Sequence, residues 1–274
     1  MRQKFVVMIK KWLPAEALRI IRHSLGFGIR FSGEFATWEG ASAQASGYDA
    51  PEILDKVVEA TRSVKNGDAA FERDSVLFSE PQYSYPLIAA LLRVAAQHGG
   101  RLSVVDFGGA LGSSYYQCRI FLANLPEVKW CVVEQAQFIS KGREAFTDEV
   151  LSFADSIEDA CAALAPNVII FSGVLQYVSD PWAILRRASQ TNVSSIVIDR
   201  TPVIAANHDA IALQTVPKRI SPSAYPIRLF TRDSLLSPLD NAYRTLAEFD
   251  AVDGILGGFV RPVPFKGYIL ERRV

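Results

Sequence analysis

The chain has 274 residues, of which 49% are hydrophobic and 21% charged, proportions that allow a sizeable core and exclude a chain held open by its own charge. Lys plus Arg and Asp plus Glu number 29 each, for a formal net charge of zero, so the molecule lacks the positive field that draws proteins onto nucleic acid, and no nucleic-acid partner is expected. Its three cysteines, Cys118, Cys131 and Cys161, are odd in number and show no Cys-x-x-Cys spacing; this argues against a disulfide framework and a zinc knuckle, so no metal is expected and a reducing, cytoplasmic setting fits.

The first thirty residues differ in charge from the rest. Arg2, Lys4, Lys10, Lys11, Arg19, Arg22 and Arg30 stand there against one acid, Glu16. Leu13, Ala17, Ile20, Ile21 and Leu25 recur at helical spacing with Arg19, Arg22 and His23 between them, which predicts a basic amphipathic helix. Such a helix either packs on the body of the protein or makes peripheral contact with an anionic membrane, where its basic face gains from lipid charge. No apolar run nears the ~18 residues that span a bilayer, and Phe5 to Ile9 is too short for a secretory signal core.

Residues 33–48 are rich in Gly, Ser and Ala and read as a loop leading into a helix near Pro51, since proline suits the first helical position. A further helix is expected over Pro86 to Gln97, stopped by His98, Gly99 and Gly100. Residues 1–80 thus form a helical and loop extension, and 81–274 the main domain.

From Leu102 the pattern changes to short β-branched runs separated by helical stretches: Leu102 to Phe107, Trp130 to Val133, Asn167 to Phe171 and Ser195 to Ile198, with a weaker strand before Asp155. This alternation implies parallel pairing with crossovers, hence an α/β, Rossmann-like, doubly wound and mostly parallel sheet of seven strands. Two late strands, near Tyr243 to Phe249 and Lys266 to Glu271, are separated by a turn with Gly254, Gly257 and Gly258. No crossover helix fits between them, so they form an antiparallel pair at one edge.

The strongest local signal is the strand Val104-Val105-Asp106-Phe107 running into Gly108-Gly109-Ala110-Leu111-Gly112 and then a helix. Glycines at the carboxyl edge of such a sheet let the backbone approach a ligand, which points to a nucleotide-like cofactor at Gly108, Gly109 and Gly112. Counted from Gly108, the third and sixth positions are Ala110 and Ser113, so the dinucleotide fingerprint of an NAD(P)-dependent oxidoreductase is incomplete. No Lys follows the glycines, which removes the phosphate loop of nucleotide hydrolases. At the end of the next strand Glu134 is placed to accept hydrogen bonds from ribose hydroxyls. Asp155, after the third strand, either accepts from the adenine amino group or caps the helix from Ser156.

The stretch from 106 to 113, with Trp130-x-Val-Val-Glu-Gln135, the upstream Trp38, Gly47-Tyr48-Asp49 and Glu72-Arg73-Asp74-Ser75, resembles a bacterial family of class I methyltransferases often linked with surface-polysaccharide genes. The resemblance spans roughly residues 33–274. It implies S-adenosylmethionine as cofactor, with Asp106 near its charged amino-acid end, and a small-molecule or carbohydrate acceptor. Residues 167–177, with Ser172, resemble the fourth motif of that class. Ala110 stands where the class most often has glycine, a replacement that calls for a negative φ there. A catalytically silent cofactor-binding protein is the alternative.

On the acceptor side, methyl transfer to oxygen calls for alignment and often a base. His208 is the candidate base, in a long segment running to Arg232 expected to overhang the carboxyl edge; a plain exposed loop histidine is the competing reading. Tyr177, Tyr225 and Arg228 are candidates to line a sugar pocket, or else packing residues.

Overall fold

The structure, a computed structural model, describes residues 30–45, 51–73, 76–216, 223–256 and 263–273; the basic helix expected before residue 30 lies outside them. Seven strands form the main sheet: β4 (Arg101–Phe107), β5 (Glu127–Val133), β6 (Leu151–Ala154), β7 (Val168–Ser172), β8 (Ser195–Pro202), β11 (Tyr243–Leu256) and β12 (Val263–Arg272), in the order β11-β12-β8-β7-β4-β5-β6. The five central and far strands run parallel, and β12 runs against both β8 and β11. The late antiparallel pair therefore closes one edge of a doubly wound sheet, as the missing crossover helix requires.

Side-chain alternation along the strands divides the core in two. Val104, Val132, Ile170 and Val197 face one way, onto helices α2 (Pro51–Asn66), α3 (Tyr85–Gln97), α4 (Ser113–Leu122) and α5 (Ala136–Ala145). Val105, Val133, Ile169, Phe171 and Ile198 face the other, onto α6 (Ile157–Leu164), α7 (Pro181–Gln190) and α8 (Arg232–Leu236). Because both faces are covered, the strands read as continuous apolar runs. Helix α3 shows the local logic. Leu87, Ile88, Leu91, Val94 and Ala95 are buried at helical spacing, Pro86 occupies the first turn, and Gly99 and Gly100 at φ 66° and 85° end it, with the Gly100 N–H donating to Ala95 O at 2.8 Å.

The chain divides into two compact units, residues 1–48, 211–227 and 257–262 in the smaller, and the remainder in the larger. Two expectations for the connecting segments are corrected. Residues 33–48 contain a short helix, α1 (Trp38–Ser42), because Thr37 caps it by accepting from the Gly40 N–H at 3.1 Å. The segment from 201 to 232 is not a plain overhanging loop: it carries β9 (Ala210–Val216) and β10 (Ser223–Leu229), which with β1 (Arg30–Ser32) form a three-stranded sheet in the order β1-β9-β10. The partner of β9 lies some 180 residues away in sequence (Arg30 opposite Thr215), beyond the reach of any local pattern. A hairpin of β2 (Phe71–Arg73) and β3 (Val76–Phe78) lies in the larger unit.

Candidate active site

The parallel register sets the carboxyl ends of the strands in one row. Phe107 pairs with Val133 and Phe171, Val133 with Ala154, and Ser172 with Asp199. Gly108, Glu134, Asp155, Gly173 and Arg200, the residues that follow, therefore emerge along a single edge, where open α/β sheets take their ligands.

Asp106 lies one residue short of that edge, on the face of β4 that α4 covers, and is 1% exposed. Its Oδ2 accepts from the indole Nε1 of Trp130 at 3.1 Å, while no hydrogen bond of normal geometry reaches the buried Oδ1. Burial pushes this carboxyl up to about 7; the Trp130 N–H opposes the shift, the charge of Glu134 adds to it and the Ser114 hydroxyl opposes it. A buried carboxyl with an unsatisfied oxygen stores desolvation cost that a hydrogen-bonding ligand relieves.

The loop wraps this group closely. A Cβ on Gly109 would stand 2.5 Å from Asp106 Cγ, and one on Gly108, at φ 73°, would overlap the side chain of Val174, so glycine is required at both for packing as well as for ligand approach. Ala110 adopts φ 52°, contrary to the negative angle expected of it. The turn is set by its neighbours: the Gly108 N–H donates to Val133 O at 2.8 Å and the Gly112 N–H to Gly109 O at 2.9 Å, and a left-handed alanine costs of the order of 1–2 kcal/mol.

Glu134 is half-buried just past β5, its Oε2 accepting from the Gln135 N–H at 2.7 Å. Burial raises its pKa, with the Gln135 and Ala110 backbone N–H groups opposing, so the carboxylate is tied back to the glycine loop. Asp155, after β6, is exposed and pairs with Arg143 at 2.8 Å; the helix cap is Ser156, whose hydroxyl accepts from the Asp159 N–H at 3.0 Å. Ser172 closes β7, and the single 3-10 turn Leu175–Tyr177 follows. Asp106, Gly108, Gly109, Gly112, Glu134 and Ser172 are thus brought to one edge, with Asp155 at its far end.

On the acceptor side the placement is mixed. Tyr177 is 37% exposed at the end of the 3-10 turn. His208 is exposed in a bend between Val203 and β9, beside Asp209, which anchors that bend by accepting from the Thr231 N–H at 2.7 Å and the Ser234 hydroxyl at 2.7 Å. Arg228 is 7% exposed, its guanidinium 4.5 Å from the Trp182 ring centroid and donating to Ser179 O at 3.2 Å. Tyr225 belongs to the smaller unit, where its hydroxyl bonds the Gln214 amide at 2.6 Å.

Sequence reasoning missed four polar residues that the fold carries to this edge. Ser84, at the N-cap position of α3, makes no cap and donates instead to Asp199 Oδ2 at 2.8 Å. Asp199 is 1% exposed and burial raises its pKa, with Ser84 and Arg200 opposing. Gln176 donates to Arg200 O at 3.2 Å, while its buried Oε1 has no hydrogen bond. Glu72 of β2 is 5% exposed and accepts from the hydroxyl of Ser113, the first residue of α4. Only the Ser-x-Pro before α3 and the position of Asp199 at a strand end were visible as local signals. Among the described residues, no group of three or more His, Cys, Asp or Glu side chains is placed to hold a metal ion.

No protein-family model and no characterised relative matches the sequence. Solved structures similar in fold include the N-terminal domain of EvdMO1 with S-adenosylhomocysteine and D-fucose, 18% identical over 83% of this chain and 100% of that one at a TM-score of 0.44. They also include an S-adenosylmethionine-dependent methyltransferase from Mesorhizobium loti, 14% identical over 69% and 97% at 0.41, and the [4+2]-cyclase SpnF, 13% identical over 84% and 100% at 0.47. At these identities and TM-scores the likenesses carry no argument about activity.

Proposed function

We propose that this chain is an S-adenosylmethionine-dependent methyltransferase acting on a hydroxyl of a small-molecule or sugar-type acceptor. The observation that carries the reading is Asp106, a buried carboxyl with an unsatisfied oxygen beneath a glycine turn, with Glu134 one strand away. An acidic, tightly wrapped turn suits a cofactor whose amino-acid end carries an ammonium group better than a pyrophosphate, which needs donors. The incomplete dinucleotide fingerprint weighs the same way against an oxidoreductase.

When bound, the cofactor supplies an electrophilic methyl group on a sulfonium. The chain's own contribution is position. Asp106 faces the amino-acid end, Glu134 accepts from the ribose hydroxyls, and Asp155 and Ser172 flank the adenine side. Tyr177 and Arg228 are proposed as acceptor contacts. His208 is proposed to take the acceptor proton, and buried Asp199, held by Ser84, is the alternative that the geometry adds.

Calorimetry with S-adenosylhomocysteine and with NAD tests the reading. Binding of the first alone is expected, and Glu134→Ala should weaken it by about 1.5–3 kcal/mol, the contribution of hydrogen bonds to a charged acceptor. An unchanged affinity in the folded variant would remove Glu134 from the site, and binding of NAD alone would overturn the cofactor. For the base, His208→Ala and Asp199→Asn are compared in turnover with sugar acceptors; the residue that takes the proton should cost roughly 10²-fold or more.

A further inference from the structure

We propose that Glu72 is a binding residue for the amino-acid end of the cofactor, contributed by the β2–β3 hairpin rather than by the parallel sheet. The inference deepens the methyltransferase reading and rests on it.

Three observations converge on Glu72. First, its carboxyl is buried although its hairpin is peripheral: in the partner strand β3, Val76, Leu77 and Phe78 are 41%, 48% and 37% exposed. A carboxyl is costly to bury, and one that served only the helix dipole would do so from solvent. Second, the hairpin is pinned. Phe71 is 2% exposed and stacks on Phe78 with ring centroids 4.4 Å apart, and Arg73 reaches Asp253 of β11 at 3.1 Å, the same carboxylate that Arg200 holds at 2.8 Å. Burial alone would push Asp253 up, but Arg200 and Arg73 outweigh it and hold its pKa down, so this bridge is ionised and fixes the register of Glu72. Strand alternation then turns Glu72 away from the face of Phe71 and Arg73.

Third, Glu72 meets the chain at the one point where the glycine turn becomes a helix. It holds the hydroxyl of Ser113, directly after Gly112, and the next residue, Ser114, is the hydroxyl that acts on Asp106. Two buried carboxyls, one from β4 and one from β2, thus converge on adjacent serines at the first turn of α4. No hydrogen bond of normal geometry reaches Asp106 Oδ1 there. Gly112 gives no side-chain cap; the Ser113 N–H donates to Gly109 O at 3.3 Å and the Tyr116 N–H to Gly112 O at 3.0 Å, which leaves the Ser114 and Tyr115 amides between them as donors. Acceptors for an ammonium and donors for a carboxylate side by side are what an α-amino acid group requires, and neither ribose nor adenine has that pair of charges.

The test uses the full chain and two ligands that share the adenosine and thioether but differ in the amino-acid end: S-adenosylhomocysteine, which has it, and 5′-methylthioadenosine, which lacks it. In calorimetry, Glu72→Gln should lower affinity for S-adenosylhomocysteine by about tenfold or more, as for loss of one charge-assisted hydrogen bond, and leave methylthioadenosine within about twofold. An equal loss for both ligands, or none for either, overturns the assignment. Should Glu72→Gln not fold, Ser113→Ala releases Glu72 while keeping its charge; a loss confined to S-adenosylhomocysteine supports the proposal, and a loss shared by both ligands overturns it. Wild-type protein that binds neither ligand removes the cofactor reading itself, and Glu72 with it. Wild-type protein that binds both equally leaves that reading standing and removes only the amino-acid subsite.

Discussion

Asp106 carries a pH signature that belongs to it alone among the residues of the turn. Its folded-state pKa of about 7 stands above the ordinary 3.8, so between those values the folded chain keeps a proton that the unfolded chain has lost. The stability contributed by the protonated carboxyl is therefore complete below about pH 4, declines as pH rises, and is gone above about pH 7. The span corresponds to an effect of the order of 4 kcal/mol. Asp106→Asn, which keeps an acceptor for Trp130, should abolish that slope. Denaturant unfolding of both proteins from pH 4 to pH 8 checks it, and parallel stability curves would mean that Asp106 ionises in the fold as easily as in water.

At the scale of elements, the glycine turn is locked against the exit from β7. Gly108 has no room for a Cβ because Val174 occupies that space, and its φ of 73° is unfavourable for any other residue. Gly108→Ala should therefore lose stability from two sources, overpacking at about 1–3 kcal/mol and a left-handed alanine at about 1–2 kcal/mol. Adding Val174→Ala should restore the first part and not the second. A double-mutant cycle in urea measures the coupling; additive effects would place the two side chains apart. The same contact explains why a substitution at Gly108 disturbs the fold as well as any ligand, which the sequence pattern alone assigned to the ligand.

At the scale of the whole molecule, the chain's neutral balance hides an uneven distribution. Six more bases than acids lie in residues 1–30 and the opposite excess in the rest, and no described helix is long and apolar enough to cross a membrane. The three cysteines are free in the described structure, and burial pushes the Cys118 thiol up to about 12, which leaves it unreactive at neutral pH. The larger unit holds the sheet, the glycine turn, Glu72 and Asp199, whereas Tyr225 folds with the smaller. The smaller unit takes one piece of chain from before the larger one and two from within it, so no single cut in the sequence separates the two.

The amino-acid sequence by itself determined the parallel sheet, its antiparallel closing pair, the turn at Gly108 to Gly112 and the acids Asp106 and Glu134. All of these follow from patterns within a few residues: apolar runs of strand length, glycines at a strand end, and the lack of a helix-length connection. Tertiary structure alone decided the rest. The unsatisfied oxygen of Asp106 depends on where Trp130 lies on the next strand; the positive φ of Ala110 belongs to a turn held by the hydrogen bond from Gly108 to Val133; Ser84 forgoes its cap because Asp199 lies across from it; and Glu72 is buried because Arg73 is anchored to Asp253. Each is a contact between residues from 24 to 180 positions apart. Local spacing carries no information about such pairs, because the free energy that makes them is gained only when the strands and helices pack.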